Sequence, residues 1–220
     1  NFDPTGLASV KGRSDIIALD LSGQPNKIVE EFKKEGILSA AMLEGIDSIV
    51  FDSLTTFGDK ALAHGVIKAA QKYPSQGVTL EDPGFKGYGY KNTYTRECIL
   101  NLLRVAAQNN KHICFIAHED VPDKNQDGVV YQITIMLGSS LSQQAPVNIS
   151  EVWHMRDTGT ERQISVRPFG AYRPMGTRMF DTTKATRFVW KYNAVTQQGE
   201  GIEQWYNAWL EATGKIPLPV

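Results

Sequence analysis

Short, almost wholly apolar runs alternate with longer segments of helical period along the first half of the chain. Asp15 to Leu21 is a β-like run bounded by polar residues, and Ile46 to Asp52 and His112 to His118 are runs of the kind found in strands buried on both faces. Between them lie helical patterns. Asn26 is placed to cap a helix from Lys27 to Glu35, with Ile28, Val29 and Phe32 on its apolar side and Gly36 at its end. Gly58 to Lys72 carries Leu62, Val66, Ala69 and Tyr73 on one face, and Thr95 to Asn109 turns Cys98, Ile99, Leu102, Leu103 and Ala106 inward. Pro74 to Tyr94 reads as a long glycine-rich loop. Asn1 to Gly6 reads as the end of a strand entering a turn at Pro4 and Gly6. This alternation predicts βαβ units, a parallel sheet and right-handed crossovers.

Beyond Glu119 the period changes. Asp127-Gly128 marks a turn, and Val129 to Leu137 has strand character. Glu151 to Arg156 and Gln163 to Phe169 alternate apolar and polar residues around Asp157-Thr158-Gly159-Thr160, which predicts an antiparallel hairpin. Thr186 to Tyr192 is a further strand, and Gly201 to Ala212 is a closing helix before a proline-rich tail. The expected organisation is a single domain over 1–220, with a parallel βα core over 1–119 and antiparallel strands and a closing helix over 120–220.

Composition narrows this picture. With 220 residues, 41% hydrophobic and 21% charged, the chain can bury a sizeable core. A formal net charge of -1 excludes a global basic field, so any nucleic-acid contact must use a local patch. The two cysteines, Cys98 and Cys114, form neither a disulfide framework nor a metal spacing, which points to a reducing cytoplasm. No apolar run approaches the roughly 20 residues that cross a bilayer.

The candidate chemistry sits at strand ends. Ser48-Ile49-Val50-Phe51-Asp52-Ser53 ends an apolar run in a carboxylate and a hydroxyl, and ligands of open α/β sheets bind beyond such ends. Asp3 and His118 end the neighbouring runs, so in a parallel sheet all three open onto one edge. Each also has a plain structural reading. Asp3 can be the first residue of an Asp-Pro turn, His118 a hydrogen-bonded strand-end histidine, and Asp52-Ser53 the turn after a buried strand.

This arrangement resembles the RecA-like branch of P-loop ATPases, and within it the phage-encoded AAA-type ATPases related to single-strand annealing recombinases. The matching pieces are Ile49 to Ser53 as Walker B, Cys114 to Glu119 as the sensor strand, and Pro174 to Phe180 near the end. The resemblance implies a RecA-like P-loop NTPase core, α/β, with a mostly parallel sheet, helices on both faces and an antiparallel C-terminal extension. It implies ATP and Mg2+ as ligands, with Asp52 holding the metal and Ser53 beside it at the nucleotide. Asp3 falls where an acidic residue positions the attacking water, His118 where a sensor feels the γ-phosphate, and Arg178 where a cation stabilises the transferring phosphoryl group. Gly176 stands where related ATPases often carry the Lys of a Lys-x-Arg pair, so Arg178 also reads as a surface arginine.

No Gly-x-x-x-x-Gly-Lys-Ser/Thr occurs in these residues. The resemblance places that phosphate cradle before Asn1, so a longer polypeptide is expected; a chain truly lacking it would be a non-catalytic scaffold on a P-loop fold. The segment from Pro74 to Tyr94 interleaves Phe85, Tyr88, Tyr90 and Tyr94 with Lys72, Lys86 and Lys91. Lys86, Tyr88, Tyr90 and Lys91 are the candidates for contact with single-stranded DNA, by stacking and phosphate pairing; a loop over the nucleotide or a subunit contact has the same composition. The expected function is an ATP-hydrolysing recombination, replication or motor protein acting on DNA, assembled as a homo-oligomeric ring or filament. A different α/β enzyme using Asp52 and Ser53 without nucleotide is the third reading.

Overall fold

The computed structural model describes residues 1–34, 38, 40–159, 161–168, 170–172, 176–177, 187–193, 198–201, 203, 206–207 and 210–211. They form a mixed α/β structure of two units, one from Asn1–Glu119 with Met136–Leu141, the other from Asp120–Ile135 with Ser142–Val220.

The first unit is built on β1 (Ser48–Phe51), α1 (Leu54–Lys72), α2 (Gly84–Gln108) and β2 (His112–Phe115). The β-branched and aromatic residues of β1 pair in parallel with β2, in the register Ser48 to His112 through Phe51 to Phe115. The chain leaves β1 at Asp52 and turns at once into α1. The Asp52–Ser53 peptide bond is cis. Ser53 is the N-cap, its Oγ accepting from the Thr56 amide at 3.2 Å. Pro74 follows the last turn of α1, which Tyr73 closes by donating its amide to Ala69.

Four phenylalanines from four stretches of chain form the centre of this unit. Phe2, Phe32, Phe51 and Phe57 meet pairwise with ring centroids 5.2 to 5.6 Å apart, mostly tilted or edge-on. Leu54, Ala61, Cys98, Ile99 and Leu102 extend this core between the two helices.

The helices approach closely at small residues. A Cβ on Gly65 would lie 2.7 Å from the Tyr90 Cβ and 3.1 Å from the Gly87 carbonyl oxygen, and one on Gly87 would lie 3.2 Å from Val66. This contact explains a departure from the sequence pattern. Residues 84–94 are the first turns of α2, not a loop. Each interior glycine costs a helix about 1 kcal/mol, yet Gly87 is what lets α2 lie against α1, and packing decides the conformation.

Among the described residues the mostly parallel sheet expected from the alternation is reduced to two strands. Among the described residues β1 and β2 are the one parallel ladder. Asp15 to Leu21 is irregular and outward-facing, with Ile17 81% exposed. None of its apolar residues is fully buried, and its backbone meets Asn1 through the Leu21 amide at 2.8 Å. Asn1 to Asp3 bonds to either side, Asn1 also donating to the Leu19 carbonyl at 2.8 Å and the Phe2 amide donating to the Asp52 carbonyl, without forming a ladder. Residues 26–33 form a 3-10 helix whose N-cap is Pro25, not Asn26.

The second unit is antiparallel. β3 (Asp123–Lys124) and β4 (Val130–Gln132) pair around Gly128, whose φ of 77° suits the tight turn. β5 (Glu151–Val152) is followed by β6 (His154–Asp157) and β7 (Arg162–Ser165), which form the expected hairpin, His154 facing Ser165. β8 (Gly176–Thr177) pairs with β5, and β9 (Arg187–Asn193) and β10 (Gln198–Glu200) complete a four-stranded sheet in the order β10-β9-β7-β6. Of the closing helix expected over 201–212, residues 203, 206–207 and 210–211 are described and helical; the tail lies outside the described residues. Among the described residues no helix is long and apolar enough to cross a membrane.

Candidate functional site

The carboxyl end of β1 is fixed by backbone bonds on both sides. The Phe2 amide donates to the Asp52 carbonyl, Ile116 donates to Phe51 at 3.0 Å, and Leu54 donates to Ile116 at 2.7 Å. These bonds hold residues 1–3, the start of α1 and the segment after β2 around Asp52.

Asp3 reaches this point through a turn of its own. Its Oδ1 accepts from the Thr5 amide and from the Thr5 hydroxyl, each at 2.9 Å. Those bonds, the Thr5 amide first, hold the carboxyl below its ordinary pKa, with the nearby His118 adding to the effect. Asp3 is therefore the first residue of an Asp-Pro turn, placed beside the carboxyl end of β1.

Gly6 is the common neighbour of the acidic groups. A Cβ there would lie 2.9 Å from Asp52 Oδ2 and 3.2 Å from Asp3 Cβ, and would collide with Asn1 Oδ1. Asp3 and Asp52 thus face one glycine. His118 arrives from the other side, its amide donating to Thr55 Oγ1 at 2.9 Å in the first turn of α1. Its carbonyl accepts from the Met136 amide at 2.8 Å.

The structure thus gathers Asp3, Asp52 and His118 at one edge of the β1–β2 pair. Ser53 is adjacent in sequence but fully buried, and its hydroxyl lies 3.0 Å from Thr56 Oγ1 and caps α1. Arg178 lies outside the described residues. Gly6 and Thr55 were not singled out from sequence; the Asp-Pro-Thr-Gly turn was visible, but its approach to Asp52 is a long-range fact.

The four residues proposed for DNA contact divide. Lys86 and Tyr88 are exposed on the first turns of α2. Tyr90 is half-buried and stacks on Tyr94 with centroids 6.3 Å apart. Lys91 lies along α1, its Cε 3.3 Å from where a Cβ on Gly58 would stand.

A second polar cluster lies inside the helical layer. Glu30 Oε1 accepts from His64 Nε2 at 2.7 Å, Lys68 Nζ at 2.9 Å and the Tyr94 hydroxyl at 3.3 Å. His64, without an evident partner in the sequence, is the central donor.

The family model described as AAA domain matches residues 2–192. The chain belongs to the AAA domain family. That span takes in Asp3, Asp52 and His118. No curated protein and no solved structure matches the chain. Membership makes it a P-loop NTPase relative and implies nucleotide binding, typically with Mg2+. The strand-end residues fit that ion chemically. Magnesium is held by one or two carboxylates together with substrate phosphates and water, not by an all-protein cage. Among the described residues no group of three or more His, Cys, Asp or Glu side chains is placed to hold a metal, while the half-exposed Asp52 carboxylate offers the hard oxygen such a shared site needs.

Proposed function

We propose that this AAA-domain protein is a Mg2+-dependent ATPase that acts on DNA, in recombination, replication or a motor role, as a phage-encoded homo-oligomer. The observation that carries the reading is the meeting of Asp3 and Asp52 around Gly6, with His118 beside them, in a chain of this family.

Each residue has a distinct part in hydrolysing ATP to ADP and phosphate. Asp52 would hold Mg2+, which when bound neutralises charge on the phosphate oxygens. Asp3 orients the attacking water and accepts its proton; the Thr5 bonds keep its carboxyl ionised, which leaves it open to accept while lowering its basicity. His118 is the residue assigned to sense the γ-phosphate, and its backbone bonds to Thr55 and Met136 connect it to the first turn of α1 and to the segment at Met136. Arg178 supplies positive charge to the transferring group, in its own subunit or a neighbour's.

The test is ATP hydrolysis by the protein at its natural length, with and without single-stranded DNA. The expected result is Mg2+-dependent turnover that DNA stimulates and that Asp52→Asn and Asp3→Asn reduce by about 100-fold or more, as loss of a charge-stabilising or proton-accepting group does. Tight ATP binding without turnover would leave a nucleotide-sensing role. Absence of both would favour a non-catalytic scaffold.

A further inference from the structure

The start of α2 carries a surface that the ATPase reading does not use. Phe85 is 98% exposed, Tyr88 is 50% exposed, and both follow Gly84 at the helix start. A Cβ on Gly89 would meet nothing within 4 Å, so bare helix backbone lies open between them and Thr93. Helical geometry places Phe85, Gly89, Thr93 and Arg96 on one outward face, one above another at three- and four-residue steps.

Cations border this aromatic face. Lys86 Nζ lies 4.8 Å and Lys72 Nζ 5.6 Å from the centroid of the Tyr73 ring. Two ammonium groups therefore converge on one ring at the junction of α1 and α2. Lys72, Lys86 and Arg96 make no ion pair with a described residue. Glu81 and Asp82 are exposed in the turn before α2, and Glu97 follows Arg96 half-buried on the helix. A fully exposed phenylalanine on a helix that also carries Lys86 and Arg96, with Lys72 near its start, is complementary to an extended chain that offers flat apolar rings and phosphates together.

We propose that Phe85, Tyr88, Tyr73, Lys72, Lys86 and Arg96 form a docking surface for single-stranded nucleic acid, with bases stacked on the aromatic rings and the phosphate backbone along the cations. The proposal rests on the reading of a DNA-acting protein and locates its contact. It replaces Tyr90 and Lys91, which face inward, by Phe85, Tyr73 and Lys72.

The experiment is fluorescence anisotropy of a labelled oligo-dT strand titrated with the full chain over a range of salt, for the native protein, Phe85→Ala and the double variant Lys72→Ala/Lys86→Ala. Thermal melting checks that each variant is folded. Phe85→Ala is expected to weaken binding about 5- to 150-fold, the value of one lost base stack. The double variant is expected to flatten the dependence of log K on log salt by about 1.4, the release from two phosphates of a single strand. Oligo-dT binding that neither variant weakens overturns this surface but leaves a DNA-acting protein standing. No binding by any form overturns both. Unchanged DNA binding with self-association lost in Phe85→Ala, seen by sedimentation, would assign the patch to a subunit contact and overturn the proposal.

Discussion

Glu30 and His64, 34 positions apart, are joined by a 2.7 Å hydrogen bond from His64 Nε2 to Glu30 Oε1. A carboxylate only accepts, so His64 carries its proton on Nε2. The His64 bond first, then Lys68, pull the Glu30 pKa from 4.5 down to about 2. The bonds from His64, Lys68 and Tyr94 tie the 26–33 turn to both long helices.

Acid stability follows from that bond. A depressed carboxyl pKa adds stability that is complete above its unfolded value and is lost as pH falls through the folded one. Unfolding free energy should therefore decline between about pH 4.5 and 2, and Glu30→Gln should flatten the decline in that window while lowering stability at neutral pH. Urea denaturation at a series of pH values measures both. An unchanged profile in the variant would remove Glu30 from the account.

Gly6→Ala should separate the site from the fold. The added methyl group would collide with Asn1 Oδ1 and lie 2.9 Å from Asp52 Oδ2, so both side chains must turn aside, and Asn1 would give up its bond to the Asp3 carbonyl. The loss of stability should be about 1 kcal/mol, that of one hydrogen bond, whereas Mg2+-dependent ATP turnover should fall by about tenfold or more, because a misplacement of about 1 Å at a reacting centre is costly. A variant with native turnover would show that Asp52 does not need its present position.

The two cysteines should report on Asp52. Cys98 is fully buried, and burial pushes its thiol well up, so it should resist thiol reagents until unfolding. Cys114 pairs with Val50 across the ladder and is exposed, yet its surroundings and then the charge of Asp52 raise its pKa. Removing that negative charge favours the thiolate. Asp52→Asn should speed alkylation of Cys114 at pH 8 by about twofold or more. Mg2+ held by Asp52 should act in the same direction, giving a readout of metal binding independent of turnover.

Phe57→Ala should cost about 3–5 kcal/mol in urea denaturation, the range for a large buried aromatic. Phe57 is fully buried and touches the other three rings of the cluster. A loss below about 1 kcal/mol would mean that the cluster repacks freely.

What was legible from sequence follows a physical division. β1, β2 and the body of α1 were visible because runs such as Ile49 to Phe51 and Leu62 to Ala69 carry their period locally. The hairpin of β6 and β7 was visible from its alternation around Gly159. The early start of α2 was hidden, because Gly87 is helical through its contact with Val66, a contact 21 positions distant in sequence. Asp15 to Leu21 misled for the opposite reason: its apolar pattern suits a strand, but its backbone meets little to pair with. Asp3, Asp52 and His118 could be named from strand ends. Gly6, Thr55 and the Glu30 cluster could not, since each is defined by an approach between distant segments.

The bond from Met136 to the His118 carbonyl has a topological consequence. The chain leaves the first unit after Glu119 and re-enters it at Met136, and just beyond that bond the Asp120 amide donates to Thr134 at 2.8 Å. Residues 120–135 therefore leave and return through one paired neck, and from within the segment the Ile133 amide donates to the Ala171 carbonyl at 2.9 Å. The sixteen residues from 120 to 135 are an insertion whose ends the first unit already holds together, so their length can vary without moving Met136 away from His118.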